Sequence, residues 1–210
     1  MNTLELDLLQ KQNIQAREEL LMAVLIGNSY VKVDPFSNRS LNFKLDAGKE
    51  SVLYAYLKSK NLMIDLKVDL TEGYEYSLSN SLIVEKFLRK HVDHNGEIIN
   101  LTAKELNASV LMLWLCLFAN KDKNESTIIN PKLSFSMANL IIENYYKHFD
   151  SKYIVYLEDR FYIGNLNSIF LYSIKTNRPS IQTMEITKLF DVPLSKLRKL
   201  AKGELLNAYC

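Results

Sequence analysis

Asn107-Ala-Ser-Val-Leu-Met-Leu-Trp-Leu-Cys-Leu-Phe-Ala119 is the most apolar stretch of this 210-residue chain. From Val110 to Ala119 it carries no charge. Such a segment is stable only with protein on every side, because any face left in water forfeits its burial free energy. It is too short to cross a bilayer, which takes about 20 apolar residues. It therefore reads as a buried central helix with the other elements wrapped around it.

Upstream, Thr3 to Ile26 predicts a long helix. Thr3 is its cap, Leu4, Leu8, Ile14, Leu21 and Leu25 lie near helical spacing, and Gly27 is a left-handed stop. Ser29 to Val33 alternates like a strand up to Asp34-Pro35, and Leu41 to Leu45 alternates again as its partner. Lys49 to Lys60 is a helix with Val52, Leu53, Tyr56 and Leu57 on one face, and Leu62 to Leu70 suits a half-exposed or edge strand. Ser79 to His91 is helical, and Gly96 to Leu101 is a short extended piece. Downstream, Lys152 to Gly164 reads as a hairpin: two β-branched and aromatic runs flank a polar Glu-Asp-Arg turn. Asn165 to Ile174 is strand or helix, and Thr176 to Ser180 is the best linker.

The pattern recurs within the chain. Ser51-Val-Leu-Tyr-Ala-Tyr-Leu57 matches Ser109-Val-Leu-Met-Leu-Trp-Leu115 at four of seven positions. Ser77 to Ser79 matches Ser134 to Ser136, and Lys90 to Asp93 matches Lys147 to Asp150, at nearly the same offset. The expectation is a duplicated helix–strand–helix unit over about 49–93 and 107–150. The chain then divides into a mixed α+β, helix-rich body over 1–175 and a C-terminal segment over 176–210.

Composition is that of an ordinary globular protein, 48% hydrophobic and 24% charged. A net charge of +2 excludes nucleic-acid binding by bulk charge, so any such binding must come from a local patch. Two cysteines, Cys116 and Cys210, are no disulfide framework and suit a reducing cytosol. No secretory or membrane-spanning segment is read, so the expected location is the cytoplasm.

Such a patch lies near the C-terminus. Met184-Glu-Ile-Thr-Lys-Leu-Phe-Asp-Val-Pro-Leu-Ser-Lys-Leu-Arg-Lys-Leu-Ala-Lys-Gly203 offers two short helices around Asp191-Val-Pro193. Ile186, Phe190, Val192, Leu197 and Leu200 fall where two such helices pack together. The segment resembles the helix-turn-helix of bacterial and phage DNA-binding proteins. The resemblance implies a second helix in the major groove of duplex DNA. Lys196, Arg198, Lys199 and Lys202 would contact bases and phosphates, with Ser195 at a phosphate by the helix start. The helix at Ser136 to Phe149 followed by a hairpin is also similar in order to a winged helix. Its recognition position, Leu140-Ile-Ile-Glu-Asn-Tyr-Tyr146, is apolar and aromatic rather than basic.

Other chemistry is sparse. His91, Asp93 and His94 could share a helical turn, but a zinc site takes better-spaced ligands, and His91 and His148 read better as groups near helix C-termini. No metal or cofactor is expected. There is no G-x-S-x-G, C-x-x-C or phosphate-cradling glycine loop. An enzyme assembled from dispersed residues leaves no linear trace, and the expectation is a non-enzymatic protein. Tyr145, Tyr146, Tyr153, Tyr156, Tyr162 and Tyr172 crowd one third of the chain, and tyrosine is favoured at interfaces. The resulting expectation is a homodimeric DNA-binding transcriptional or replication regulator of bacterial, phage or plasmid type. The rival is a protein–protein adaptor or inhibitor acting through Tyr145 and Tyr146.

Overall fold

The computed structural model describes residues 3–33, 39–62, 66–69, 75–78, 82–122, 125–129, 133–149 and 154–164. The element order is α1 (Thr3–Leu25), β1 (Ser29–Val33), β2 (Arg39–Lys44), α2 (Lys49–Ser59), β3 (Leu66–Asp69), β4 (Glu75–Leu78), α3 (Leu82–His91), α4 (Ala108–Phe118), β5 (Asn120–Asp122), β6 (Glu125–Ile129), α5 (Phe135–Phe149), β7 (Ile154–Leu157) and β8 (Arg160–Ile163).

The apolar run forms α4, and every residue from Val110 to Ala119 is buried. Asn107 caps it: its side-chain oxygen accepts from the Val110 amide at 3.0 Å, satisfying a donor that the helix leaves open. Against α4 lies the second half of α1, buried without a break from Leu20 to Ile26. The two helices are joined by a hydrogen bond that the indole of Trp114 donates to the Ile26 carbonyl at 3.1 Å. The first half of α1 departs from expectation. Leu8 is 58% and Ile14 48% exposed, so the helical spacing of apolar residues there does not mark a buried face.

Gly27 also differs. It does not adopt a left-handed backbone; only Gly48 and Gly96 do so among the described glycines. A Cβ built on Gly27 would lie 2.4 Å from two ring carbons of Phe118. The residue is glycine because the ends of α1 and α4 meet there.

Each central helix runs into a four-stranded antiparallel sheet. The first has the order β1-β2-β4-β3 and the second β5-β6-β8-β7. The order of elements is the same in both: helix, two strands, helix, two strands, with α3 closing the first set. The inner face of the first sheet carries Leu41, Phe43, Tyr76 and Leu78, and that of the second carries Ile128, Ile154, Phe161 and Ile163, all in one continuous core with the helices. Phe43 meets Phe118 edge-on at 6.2 Å, and Phe161 meets Trp114 edge-on at 5.1 Å. Both sheets are therefore seated on the C-terminal half of α4.

The helix-rich α+β expectation matches this body in outline. The winged-helix expectation does not. Leu157 and Arg160 flank the expected turn, with Glu158 and Asp159 at φ of 49° and 60°, but the hairpin is no free wing. Its strand β8 pairs with β6 and lies inside the sheet, with Phe161 and Ile163 buried against the helical core. In α5, Ile141, Asn144 and Tyr145 are buried, so much of the expected recognition position packs into the core. The repeat also has a different register. The sequence match pairs α2 with α4, whereas by topology α1 corresponds to α4 and α2 to α5. Residues 165–210, including the linker and the helix-turn-helix-like segment, lie outside the described residues.

Candidate nucleic-acid interface

Strand alternation puts one set of residues on the core and the other on the outer face. In the first sheet, register aligns Tyr30, Asn42, Ser77 and Lys67 as one row across all four strands on the outer face. Lys32 and Ser40 form a neighbouring pair, and Lys44 stands opposite Glu75. Lys44 and Lys67 are exposed, and the Lys32 side chain is 63% exposed. This face is polar and carries three lysines within a few strand spacings. Chain positions as distant as 32, 44 and 67 are brought together only by pairing.

Glu75 is the acidic member of this group. The Tyr30 hydroxyl donates to its Oε1, and Lys32 Nζ lies 3.6 Å from the same oxygen. Lys32 Nζ is also 5.3 Å from the centre of the Tyr30 ring. Partial burial, then the hydrogen bond to Glu75, holds the Tyr30 hydroxyl above its ordinary pKa. The Tyr30 hydroxyl and the Glu75 charge likewise raise that of Lys32, so the ammonium stays charged.

On the second sheet, Asn120, Thr127, Tyr162 and Val155 form the corresponding row, and Arg160 stands opposite Leu157. Asn120, Val155, Leu157 and Arg160 are exposed. Asn28 and Asn120 occupy equivalent places, each exposed and each just past the end of a central helix. Asn28 is tied to the first sheet by its carbonyl, which accepts from the Lys44 amide at 3.4 Å. The junction between the two outer faces therefore presents carboxamides, which offer both donor and acceptor atoms and carry no charge.

The histidine cluster is structural. His91 is 1% exposed; its Nδ1 lies 2.7 Å from the Asn100 carbonyl and its Nε2 3.5 Å from Glu105. Asp93 Oδ1 accepts from the amides of Asn95 and Glu97, both at 2.8 Å, which closes the loop after α3. That pairing, the Glu97 amide first, lowers the Asp93 pKa. Among the described residues no group of three His, Cys, Asp or Glu is placed to hold a metal ion.

Of the residues expected to contact DNA, Ser195, Lys196, Arg198, Lys199 and Lys202 lie outside the described residues. Of the two expected to meet a partner protein, Tyr145 is fully buried and packs edge-on against Phe149 at 5.1 Å. Tyr146 is 36% exposed, and its hydroxyl donates to the Ile154 carbonyl at 3.1 Å. The two tyrosines thus share no surface. No helix among the described residues is long and apolar enough to cross a membrane.

No family model and no curated protein matches the sequence. Solved structures do match the fold. The homing endonuclease I-WcaI bound to its DNA recognition sequence is similar at a TM-score of 0.51 and 13% identity, over 91% of this chain and 86% of that one. I-DmoI in complex with DNA and Ca is similar at a TM-score of 0.50 and 12% identity, over 86% of this chain and 100% of that one. Full-length DUF199/WhiA from Thermatoga maritima aligns at a TM-score of 0.46 and 12% identity, over 93% of this chain and 72% of that one. At such identity the likeness to the endonucleases carries the fold. It corrects two expectations. The helix-turn-helix resemblance, which concerned the C-terminal segment, does not extend to the described body, and the non-enzymatic expectation is overturned, because homing endonucleases adopt this fold. A site dispersed over both halves would leave no linear motif to read.

Proposed function

We propose that this chain binds duplex DNA across the outer faces of its two sheets. The observation that carries the reading is the lysine-bearing outer face of the first sheet, on a fold shared with I-WcaI, whose structure was solved bound to its DNA recognition sequence. Lys32, Lys44 and Lys67 neutralise phosphates and set the position of the duplex, while Tyr30 and Ser77 between them offer hydrogen-bonding groups to base edges; Asn42, buried at 3% exposure and bonded to Ser40, shapes the face from beneath. A two-stranded or broader β surface fits the major groove. A single chain carries both sheets, so we propose a monomer on the DNA in place of the homodimer expected from sequence.

The test is retention on duplex DNA over a salt series, with the Lys32→Ala/Lys44→Ala/Lys67→Ala triple variant beside the parent. Each phosphate contact contributes roughly 0.9 to the slope of log affinity against log salt, so the triple variant should lose about 3 from the slope. An unchanged slope refutes the sheet interface. The Arg198→Ala/Lys199→Ala pair, assayed alongside, reports whether the C-terminal basic segment adds contacts.

The second reading is cleavage of the bound DNA, favoured by the shared fold with I-WcaI and I-DmoI. Plasmid nicking with magnesium or manganese tests it. Retention with intact plasmid would instead favour use of the bound state in transcriptional or replication control.

A further inference from the structure

We propose that the second sheet reads thymine methyl groups, so that the half of the duplex beneath it is rich in thymine. This rests on the DNA-binding reading above. The two sheets share one topology, yet their outer faces differ in chemistry. In β7, Ile154 is 1% exposed and faces the core, while Val155 and Leu157 are 50% and 60% exposed on the opposite side. Register sets Val155 against Tyr162 and Leu157 against Arg160. Corresponding positions on the first sheet are polar or charged.

Exposed Val and Leu on an edge strand are a liability, because such an edge can pair with another chain and is usually blunted by charge. Here β7 is an edge, and two of its four residues are large, apolar and exposed. The apolar pair is continuous with the outer face that also holds Asn120, Tyr162 and Arg160, groups suited to a polar ligand with base edges. In the major groove the apolar feature of the base edges is the thymine C5 methyl. Val155 and Leu157 match it, and Arg160 beside Leu157 supplies a bidentate donor to the N7 and O6 of a neighbouring guanine. The first sheet then supplies the lysine contacts to phosphate, and the second adds discrimination by methyl groups.

The experiment uses the full chain. Duplexes with a randomised core are selected for retention, and the thymines of one half of a retained duplex are replaced by deoxyuridine, which removes only the methyl. Each methyl in contact should be worth about 4-fold in affinity, the scale for one buried methylene-sized group. The parent should therefore lose affinity on replacement in one half and not the other. Val155→Ser and Leu157→Ser lie on an exposed face, so the fold should tolerate them, and they should abolish that sensitivity. Retention with no thymine enrichment, or equal sensitivity in parent and variants, overturns the proposal while leaving DNA binding intact. So does a Leu157→Ser variant that dissolves a dimer in light scattering without altering retention. Failure of every duplex to be retained overturns the DNA-binding reading as well, and with it the methyl contact.

Discussion

Substituting Gly27 by alanine tests the helix crossing directly. The added Cβ would lie 2.4 Å from Cδ2 and Cε2 of Phe118 and 2.8 Å from Cγ, more than 1 Å inside ordinary carbon contact. The ring has little room to retreat: Phe118 is 5% exposed and Phe43 stands edge-on to it. Gly27 lies outside the left-handed region, so backbone strain adds nothing and the cost is overpacking. Forced overpacking of a close-packed core costs roughly 1–3 kcal/mol, and the ring's confinement argues for the upper end. A domain of this size should lose about 2–4 °C of melting temperature per kcal/mol. The assay is thermal and urea unfolding of Gly27→Ala, Phe118→Leu and the double variant. Leucine at 118 removes Cε2 and replaces the rigid ring with a branched side chain whose methyls can rotate away from the new methyl. The double variant should then be more stable than the sum of the singles predicts, with a coupling of roughly 1–2 kcal/mol. Additive losses, or a Gly27→Ala protein as stable as the parent, would refute the close approach of the two helix ends.

Two further outcomes follow from the geometry. Glu75→Gln removes the carboxylate that competes with phosphate for Lys32 and also holds Tyr30, so duplex affinity should rise at every salt concentration with the slope kept; an unchanged affinity would mean that Lys32 faces no phosphate. Glu105 is held below its ordinary pKa although burial opposes this, because Lys90 and Thr102 donate to it and His91 lies nearby. A depressed carboxylate gives stability that is full above its unfolded pKa of about 4.3 and is lost as pH falls through the folded value. Glu105→Gln should therefore be less stable than the parent at neutral pH and converge with it in acid; parallel stability curves down to pH 3 would contradict the pairing.

The centre of this fold was legible because an uncharged run as long as Val110 to Ala119 has only one stable environment. The β1–β2 pair and the β7–β8 hairpin were legible from alternation and turn chemistry, and they form as read. Strand β4 went unread although Tyr76 and Leu78 alternate with Glu75 and Ser77, because four residues give too short a period. Strands β5 and β6 were hidden for another reason. Asn120-Lys-Asp122 is polar throughout and is a strand only because β6 lies beside it. The repeat was misregistered because Val-Leu pairs recur on any buried helix face. The topologically matched helix ends, Leu25-Ile-Gly27 and Leu117-Phe-Ala119, share apolar bulk followed by a small residue. The lysines of the proposed sheet interface went unread because reading cations along the chain favours consecutive ones, such as Arg198 and Lys199. In a sheet the cations of one face are scattered in sequence and gathered by register.

The joining of two like halves in one polypeptide changes what evolution can alter independently. A protein assembled from two identical copies must show the same side chains to both arms of its target, which confines it to palindromes. Here the seam at Gly27 and Phe118 has to remain complementary, whereas Lys67 on one flank and Val155 on the other are free to diverge. Under the proposed DNA-binding function, the chain can thereby address a target whose two arms differ.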